Sequence, residues 1–493
     1  MKGVFYNKGF ITIYILFFLT VFLSSCKKDF LEVVPKGVAI ATTTADYQLL
    51  LNDPTINALT YASQILMSDE LAGYQPSYGL GIGFGTLEDQ KAFEYEDDIY
   101  LPTANSSELT QLERSLYTYN KVINEVMESK DGSDSQKKSL RAEALASRAW
   151  VHFTLVNYYG KPYNATTSAT DLGVPLVTVN DVTQTVFSRA TVQETYDLII
   201  EDLTTAIPDL PVQIVSRNRM SRAAGEALLG KVYVYMQQFD RALPLLSSSI
   251  SHLSNATIPV GLYDFNTVFV PDGAFFPINP FTGPNRFNMD VDQEVLYRKT
   301  FLNLYSYILS GTPINPQTAA LYQTEDLRLN FFTNQPFPPT GLSYPLGMKR
   351  CYGKYNNMGI NIPDIYLLKA ECESRVGSLN VAVNDAVTFR KMRMKTETPN
   401  AADIPSNIAS DRELLTKFIL EERIREFATT GERWWDMRRL SVDNTYKSTV
   451  NMVHHVYDQA GNIVQSFPLK EERLTFRFPQ YIKAANPEME QNP

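Results

Sequence analysis

The most reactive side chain of this sequence stands near its start. Cys26 closes the run Leu23-Ser24-Ser25-Cys26, behind fourteen apolar-leaning residues from Phe10 to Leu23 and two lysines, Lys2 and Lys8. A thiolate is a strong nucleophile, and here it can take a diacylglycerol group before the chain is cut ahead of it. Fourteen residues fall short of the roughly 20 that span a bilayer, and they fit the apolar centre of a secretory signal with a basic head. Residues 1–25 are therefore expected to be a lipoprotein signal peptide and Cys26 the lipidation site. Residues 26–40, "CKKDFLEVVPKGVAI", read as a spacer interrupted by Pro35 and Gly37. One acyl chain holds weakly to a membrane; a diacylglycerol with an amide-linked chain holds firmly. The segment reads as a tether and not a span.

A second chemistry is non-covalent. Two blocks mix Gly, Pro and Asn with Tyr and Phe: "DELAGYQPSYGLGIGFGTLEDQ" at 69–90, and about 255–360, which includes "VFVPDGAFFPINPFTGPNRFNMD". Loops of this length tend to carry function. Aromatic faces pack on sugar C–H groups while carboxylate, amide and guanidinium groups take the hydroxyls. The candidate ligand contacts are Asp69, Tyr74, Tyr78 and Phe84 in the first block, with Arg286 and Phe287 in the second. The plain alternative for each ring is packing within its own loop.

Other chemistries find little support. "GLGIGFG" has glycines at 79, 81, 83 and 85 but neither phosphate-loop spacing nor a following lysine; it reads as a flexible ligand loop or a plain surface loop. "EYEDD", Glu94 to Asp98, lacks the alternating acids and central glycine of a calcium loop, leaving a solvated charge run or a structural cation. His152, His252, His454 and His455 have no metal-hydrolase spacing, Cys351 and Cys372 fit no zinc pattern, and no GxSxG elbow occurs. No catalytic residue, metal or cofactor is expected, although 54 acids leave accidental carboxylate pairs open. Without residues 1–25 the chain keeps 468 of its 493 residues, and its charge moves from −9 to −11 because Lys2 and Lys8 are lost. That acidic balance argues against nucleic acid and against a polybasic membrane surface.

The elements that must position these groups are helical. "SLRAEALASRAWVHFTLVNYYGKP" sets Ala142, Leu145, Ala149, Phe153 and Val156 on one face, with Gly160 as a left-handed stop before Pro162. "SRAAGEALLGKVYVYMQQFDRALPLL" carries Ala223, Ala224, Ala227 and Gly230, small enough for a second helix to approach closely. "IPDIYLLKAECESRVGSLNVAVNDAVTFRKMR" repeats the pattern, with Gly377 between two helices. Helix, turn, then alanine-faced helix is the tetratricopeptide device, here with irregular spacing and long insertions. The expected architecture is mainly α, with about four helical pairs as a scaffold under a loop-rich face. In "LEERIREFATTGERWWDMRR", residues 420–439, the Trp pair is either a binding platform or buried, with Arg433 or Arg438 paired to Asp436 or Glu426.

That last segment resembles the C-terminal signature of the SusD/RagB family of Bacteroidota outer-membrane lipoproteins. Further pieces resembling the family stand in order: "CKKDFLE", "SDE" at 68–70, "RAEALASRAWVHFTLVNYYG", "SRAAGEALLGKVYVY", "DLR" at 326–328, "KY" at 354–355, "IYLLKAE" and "NPEMEQNP". The resemblance implies one SusD-like domain over 41–493, its N- and C-terminal regions meeting at about 255–290. It implies no catalysis. It also implies a lipid-anchored protein at the outer face of the outer membrane that captures oligosaccharides and delivers them to a SusC-like TonB-dependent transporter. An oligopeptide cargo on the same architecture is the alternative, and a degradative surface enzyme a more distant one. Trp150, Trp434 and Trp435 all fall in scaffold motifs, so no tryptophan sugar platform is expected.

Overall fold

The computed structural model describes residues 41–59, 63–79, 83–285, 291–302, 311–337, 341–352 and 355–493. Cys26, the signal segment and the spacer lie outside the described residues, as do Arg286 and Phe287. Ten helices of nine or more residues carry the described chain: α1 (Thr44–Asn52), α2 (Ser107–Glu125), α3 (Asp134–Tyr159), α4 (Val192–Ala206), α5 (Arg222–Tyr235), α6 (Phe239–His252), α7 (Ile362–Val376), α8 (Leu379–Lys391), α9 (Arg412–Phe427) and α10 (Glu432–Ser441). None is long and apolar enough to cross a membrane.

Local chemistry sets the helix ends. Ser133 starts α3 with a reciprocal cap: its hydroxyl accepts from the Gln136 amide at 3.2 Å, and the Gln136 side chain accepts from the Ser133 amide at 2.8 Å. Thr191 caps α4 in the same way through Glu194. Gly160 does stop α3, but in extended backbone (φ −94°, ψ 159°) and not the left-handed geometry expected of it. Its reason is space, since a Cβ there would stand 2.6 Å from Val156 Cγ2 and 2.9 Å from the Val156 carbonyl.

Neighbouring helices pack pairwise: α2 on α3, α3 on α4, α5 on α6, and α7 on α8, with α7 also seated on α6 and α9 on α7. This is the tetratricopeptide-like scaffold. The approach of α5 to α6 depends on Gly230, where a Cβ would meet Leu246 Cγ at 2.8 Å. One large apolar core runs through these helices and takes in Trp150, Trp434 and Trp435, so all three indoles are interior.

The strands are short and belong to the insertions. They are β1 (Gly73–Tyr74), β2 (Val295–Tyr297), β3 (Thr300–Leu302), β4 (Phe332–Thr333), β5 (Arg350–Cys351), β6 (Tyr355–Asn357), β7 (Ile360–Asn361), β8 (Val453–Tyr457) and β9 (Ile463–Pro468). Four antiparallel pairings (β2 with β7, β3 with β6, β4 with β5, β8 with β9) and the parallel contact of β1 with β8 fold the loop-rich blocks against the scaffold. Lys299 pins this block down: its buried ammonium donates to the Ile56 carbonyl, Asn57 Oδ1 and Tyr119 OH.

Candidate functional site

The Gly-rich block at 69–90 turns its rings inward. Phe84 is fully buried, 5.2 Å from the Tyr78 ring centroid and 5.6 Å from that of Phe93. Tyr74 is 1% exposed, packs edge-on to Tyr344 at 4.9 Å and donates its hydroxyl to Gln459. Tyr78 is half-buried and donates to Glu94 Oε1 at 2.7 Å. Asp69 is 6% exposed; it accepts both ends of the Arg433 guanidinium at 2.6 and 2.7 Å and the Asn451 amide at 2.8 Å. Asp69, Tyr74 and Phe84 thus lack the open surface that ligand contact requires. Their polar atoms are used within the protein because the block is folded under β8 and against α10. The carboxylates of "EYEDD" likewise have protein partners: Glu96 with Lys91, Asp97 with Lys470 and Arg473, and Asp98 with Arg477.

Open space lies elsewhere. A cavity of about 150 Å³ sits where the insertion block meets the C-terminal end of α9 and the start of α7. Phe265, Phe331, Phe332 and Phe427 give it aromatic walls, and Asn356, Asn357, Asn361, Thr429 and Thr430 give it amides and hydroxyls. The strands β6 and β7 carry the asparagines, and the short β4–β5 ladder carries Phe332 and Cys351. Asn357 and Asn361 brace one another: Asn357 Nδ2 donates to Asn361 Oδ1 at 2.8 Å, and Asn361 Nδ2 donates to the Asn357 carbonyl at 2.9 Å. Asn356 Nδ2 donates to the Thr429 carbonyl at 3.1 Å. Thr429 holds φ at +66°, a left-handed backbone that a β-branched residue adopts only under constraint.

The constraint is identifiable. The Thr429 amide donates to Glu70 Oε1 at 2.6 Å, and Glu70 is 1% exposed. Burial raises the Glu70 carboxyl to about 8, opposed by the Thr429 amide and reinforced by neighbouring Asp69, so at neutral pH it is predominantly protonated.

Charges line the cavity too, but they are engaged. Arg328 donates from Nε and Nη2 to Asp326, from Nη2 to Glu422 Oε1 at 2.7 Å, and from Nη1 to Glu426 at 3.1 Å. Arg425 donates from Nε and Nη2 to Glu422 Oε2 and from Nη1 to the Leu321 carbonyl. Arg390 adds a third cation to Glu422 at 2.6 Å, and Arg393 joins Glu426 to Glu294. Burial alone would raise Glu422; Arg328, Arg425 and Arg390 instead hold it well below the usual carboxylate range. Glu426 is likewise held down against burial by Arg393 and Arg328.

A second chain of pairs runs behind the first. Lys231 joins Asp364 and Glu432, Arg423 joins Asp364 to Asp436, Arg439 joins Asp436 to Glu371, and Arg375 joins Glu371 to Asp443. This corrects two expected pairings. Arg433 pairs with Asp69, not Asp436 or Glu426. Arg438 donates to the Gly160 carbonyl at 2.6 Å and reaches neither of those acids. Among the described residues no group of His, Cys, Asp and Glu is arranged to hold a metal ion.

None of the cavity residues is among the ligand contacts expected from the sequence. A signal was present: "YNNMGIN" places three asparagines within seven residues of otherwise β-forming chain.

Known proteins place this arrangement. Residues 29–234 match the SusD-like profile described as "Starch-binding associating with outer membrane", and residues 344–493 match the SusD family profile. A SusD-like protein P38 from Formosa agariphila is 24% identical over 345 residues, which spans 60% of this chain and 65% of the relative. Among solved structures, a putative sugar binding protein from Bacteroides vulgatus superposes with a TM-score of 0.68 at 18% identity, covering 92% of this chain and 99% of that one. A SusD superfamily protein from Bacteroides thetaiotaomicron gives 0.67 at 18% identity, covering 92% and 100%. At that identity the structures speak for the fold alone. With two family profiles matched at either end of the chain and the fold shared along its length, the chain belongs to the SusD/RagB family.

Proposed function

We propose that this protein captures oligosaccharides at the cell surface and passes them to a SusC-like TonB-dependent transporter, held at the outer membrane by lipid on Cys26. The observation that carries the glycan reading is the make-up of the cavity. Phe331 and Phe332, both partly exposed, offer ring faces for sugar C–H groups, and the partly exposed Asn356, Asn361 and Thr430 offer amides and a hydroxyl as partners for ring hydroxyls. The neighbouring guanidinium groups are bound to carboxylates and a carbonyl of the protein itself. Such a site holds a ligand and does no chemistry on it, in keeping with a binding protein and not an enzyme. The starch-binding profile that residues 29–234 match and the sugar binding protein from Bacteroides vulgatus support the same class.

The test is calorimetry of the purified chain against a diverse oligosaccharide panel and a mixed oligopeptide pool. Heat with sugars and none with peptides is the expected result; the reverse would overturn it. One observation favours the peptide reading: β9 pairs with β8 along one edge only, its outer edge is in no ladder among the described residues, and its Ile463 and Val464 are exposed. An extended peptide can add to such an edge through main-chain hydrogen bonds. For the tether, Cys26→Ser is expected to move the protein from the envelope to the soluble fraction.

A further inference from the structure

We propose that the cavity recognises a single uncharged sugar ring at the end of a glycan, so that the protein captures chain ends and not chain interiors. This rests on the glycan reading and adds to it a size and a charge.

Size comes first. A cavity of about 150 Å³ is of the order that encloses one six-membered ring. It falls short of the roughly 300–1,000 Å³ that enclose ligands of several rings. An interior ring would have to bring a neighbour in on either side, whereas a terminal ring enters with one linkage trailing out. Of the lining residues, Phe331, Phe332, Asn356 and Thr430 are partly exposed and so leave the cavity open to solvent for that linkage.

Charge comes second. A uronate or a sulfate ester needs a guanidinium or ammonium donor with capacity to spare. Four of the five N–H groups of Arg328 and three of the five of Arg425 already donate to Asp326, Glu422, Glu426 or the Leu321 carbonyl, and both guanidinium charges are balanced by these buried carboxylates. Drawing either arginine toward an anionic ligand would strip Glu422, which is fully buried, of a partner, and leaving a buried charge uncompensated is strongly unfavourable. Against the two arginines the lining sets three acids, Asp292, Glu294 and Glu426, so it holds no cationic excess to offer an anion. Neutral hydroxyls meet no such penalty at Asn356, Asn361 and Thr430.

Calorimetry of the full chain distinguishes the outcomes. The probes are neutral monosaccharides (hexoses, pentoses, 6-deoxyhexoses and N-acetylhexosamines), glucuronate and galacturonate, and linear oligosaccharides built from the neutral set. At least one neutral monosaccharide should bind, the uronates at least tenfold more weakly, and Asn356→Ala should weaken the binding about tenfold, equivalent to ~1.4 kcal/mol. The bound monosaccharide should also slow alkylation of Cys351, which lines the cavity, as read by peptide mass spectrometry. Uronates binding as well as neutral sugars would overturn the charge argument. Oligosaccharides binding while no monosaccharide does, or binding untouched by Asn356→Ala, would overturn end capture and leave the glycan reading standing. Absence of binding by any sugar would overturn both.

Discussion

The two ring-rich blocks of this chain have the same composition and opposite uses. In 69–90 the aromatic rings stack on one another and on β8, and the polar atoms between them find protein partners: Asp69 with Arg433, Tyr74 with Gln459, Tyr78 with Glu94. Around the cavity, Phe331 packs edge-on to Phe265 at 5.6 Å, and Phe332, Phe427 and the asparagines of β6 and β7 border open space. Rings in a glycine-rich loop therefore mark a loop, and not the direction its rings face. The direction depends on whether the neighbouring polar groups are satisfied from within.

Substitutions can break or sharpen that contrast. Phe84→Ala removes a fully buried ring and is expected to cost about 3–5 kcal/mol in denaturant unfolding. Affinity per folded molecule should be unchanged; a folded variant without affinity would erase the distinction between the blocks. Arg328→Ala strips Asp326 and Glu422 of a partner and is expected to cost a similar ~3–5 kcal/mol, because buried charge is left uncompensated. The lowered Glu422 and Glu426 contribute stability that is present above about pH 4.5 and lost as pH falls through their folded values. Acid unfolding should accordingly be shallower in this variant.

Glu70 has the opposite sign. Its raised carboxyl contributes stability that is complete below the unfolded value near 4.5 and lost as pH rises through about 8. Thermal melts from about pH 6 to about pH 9.5 should show that alkaline loss in the wild type and little of it in Glu70→Gln, which keeps the acceptor for the Thr429 amide. A wild-type melting temperature flat across this range would mean that Glu70 does not hold the cavity wall as a neutral acid. Tyr78→Phe loses one half-buried hydrogen bond, about 1 kcal/mol, and should leave affinity untouched.

The scaffold was largely legible in the sequence because its determinants are local. The apolar face of α3 and the small-residue face of α5, with Gly230 on it, follow from residue spacing within single helices. The misreading of Asp69 has the reverse cause. Its partner Arg433 lies 364 residues away, and no spacing rule links them. Separations of 94 and 99 residues likewise hid the pairs of Arg328 with Glu422 and Arg393 with Glu294. A hint lay in the run Glu422-Arg423-Ile424-Arg425-Glu426, where charges of both signs crowd between the apolar residues Leu420 and Phe427. Such density inside an apolar helix marks interior ion pairs and not a wet face. The cavity was harder still, because it is what packing between five stretches of chain leaves open, and the asparagine cluster at 356–361 was its one local signal.

The three indoles are confined to the scaffold seam, and none of them borders the cavity. Trp434 and Trp435 stand in the first turn of α10, a helix fastened at Arg433 to the first loop block, and Trp150 donates its N–H to the Met358 carbonyl. The protein thus carries an optical gauge that registers melting of its frame while staying dark to a guest in the cavity. Emission that moved when sugar was added would reveal that the frame itself flexes to admit cargo.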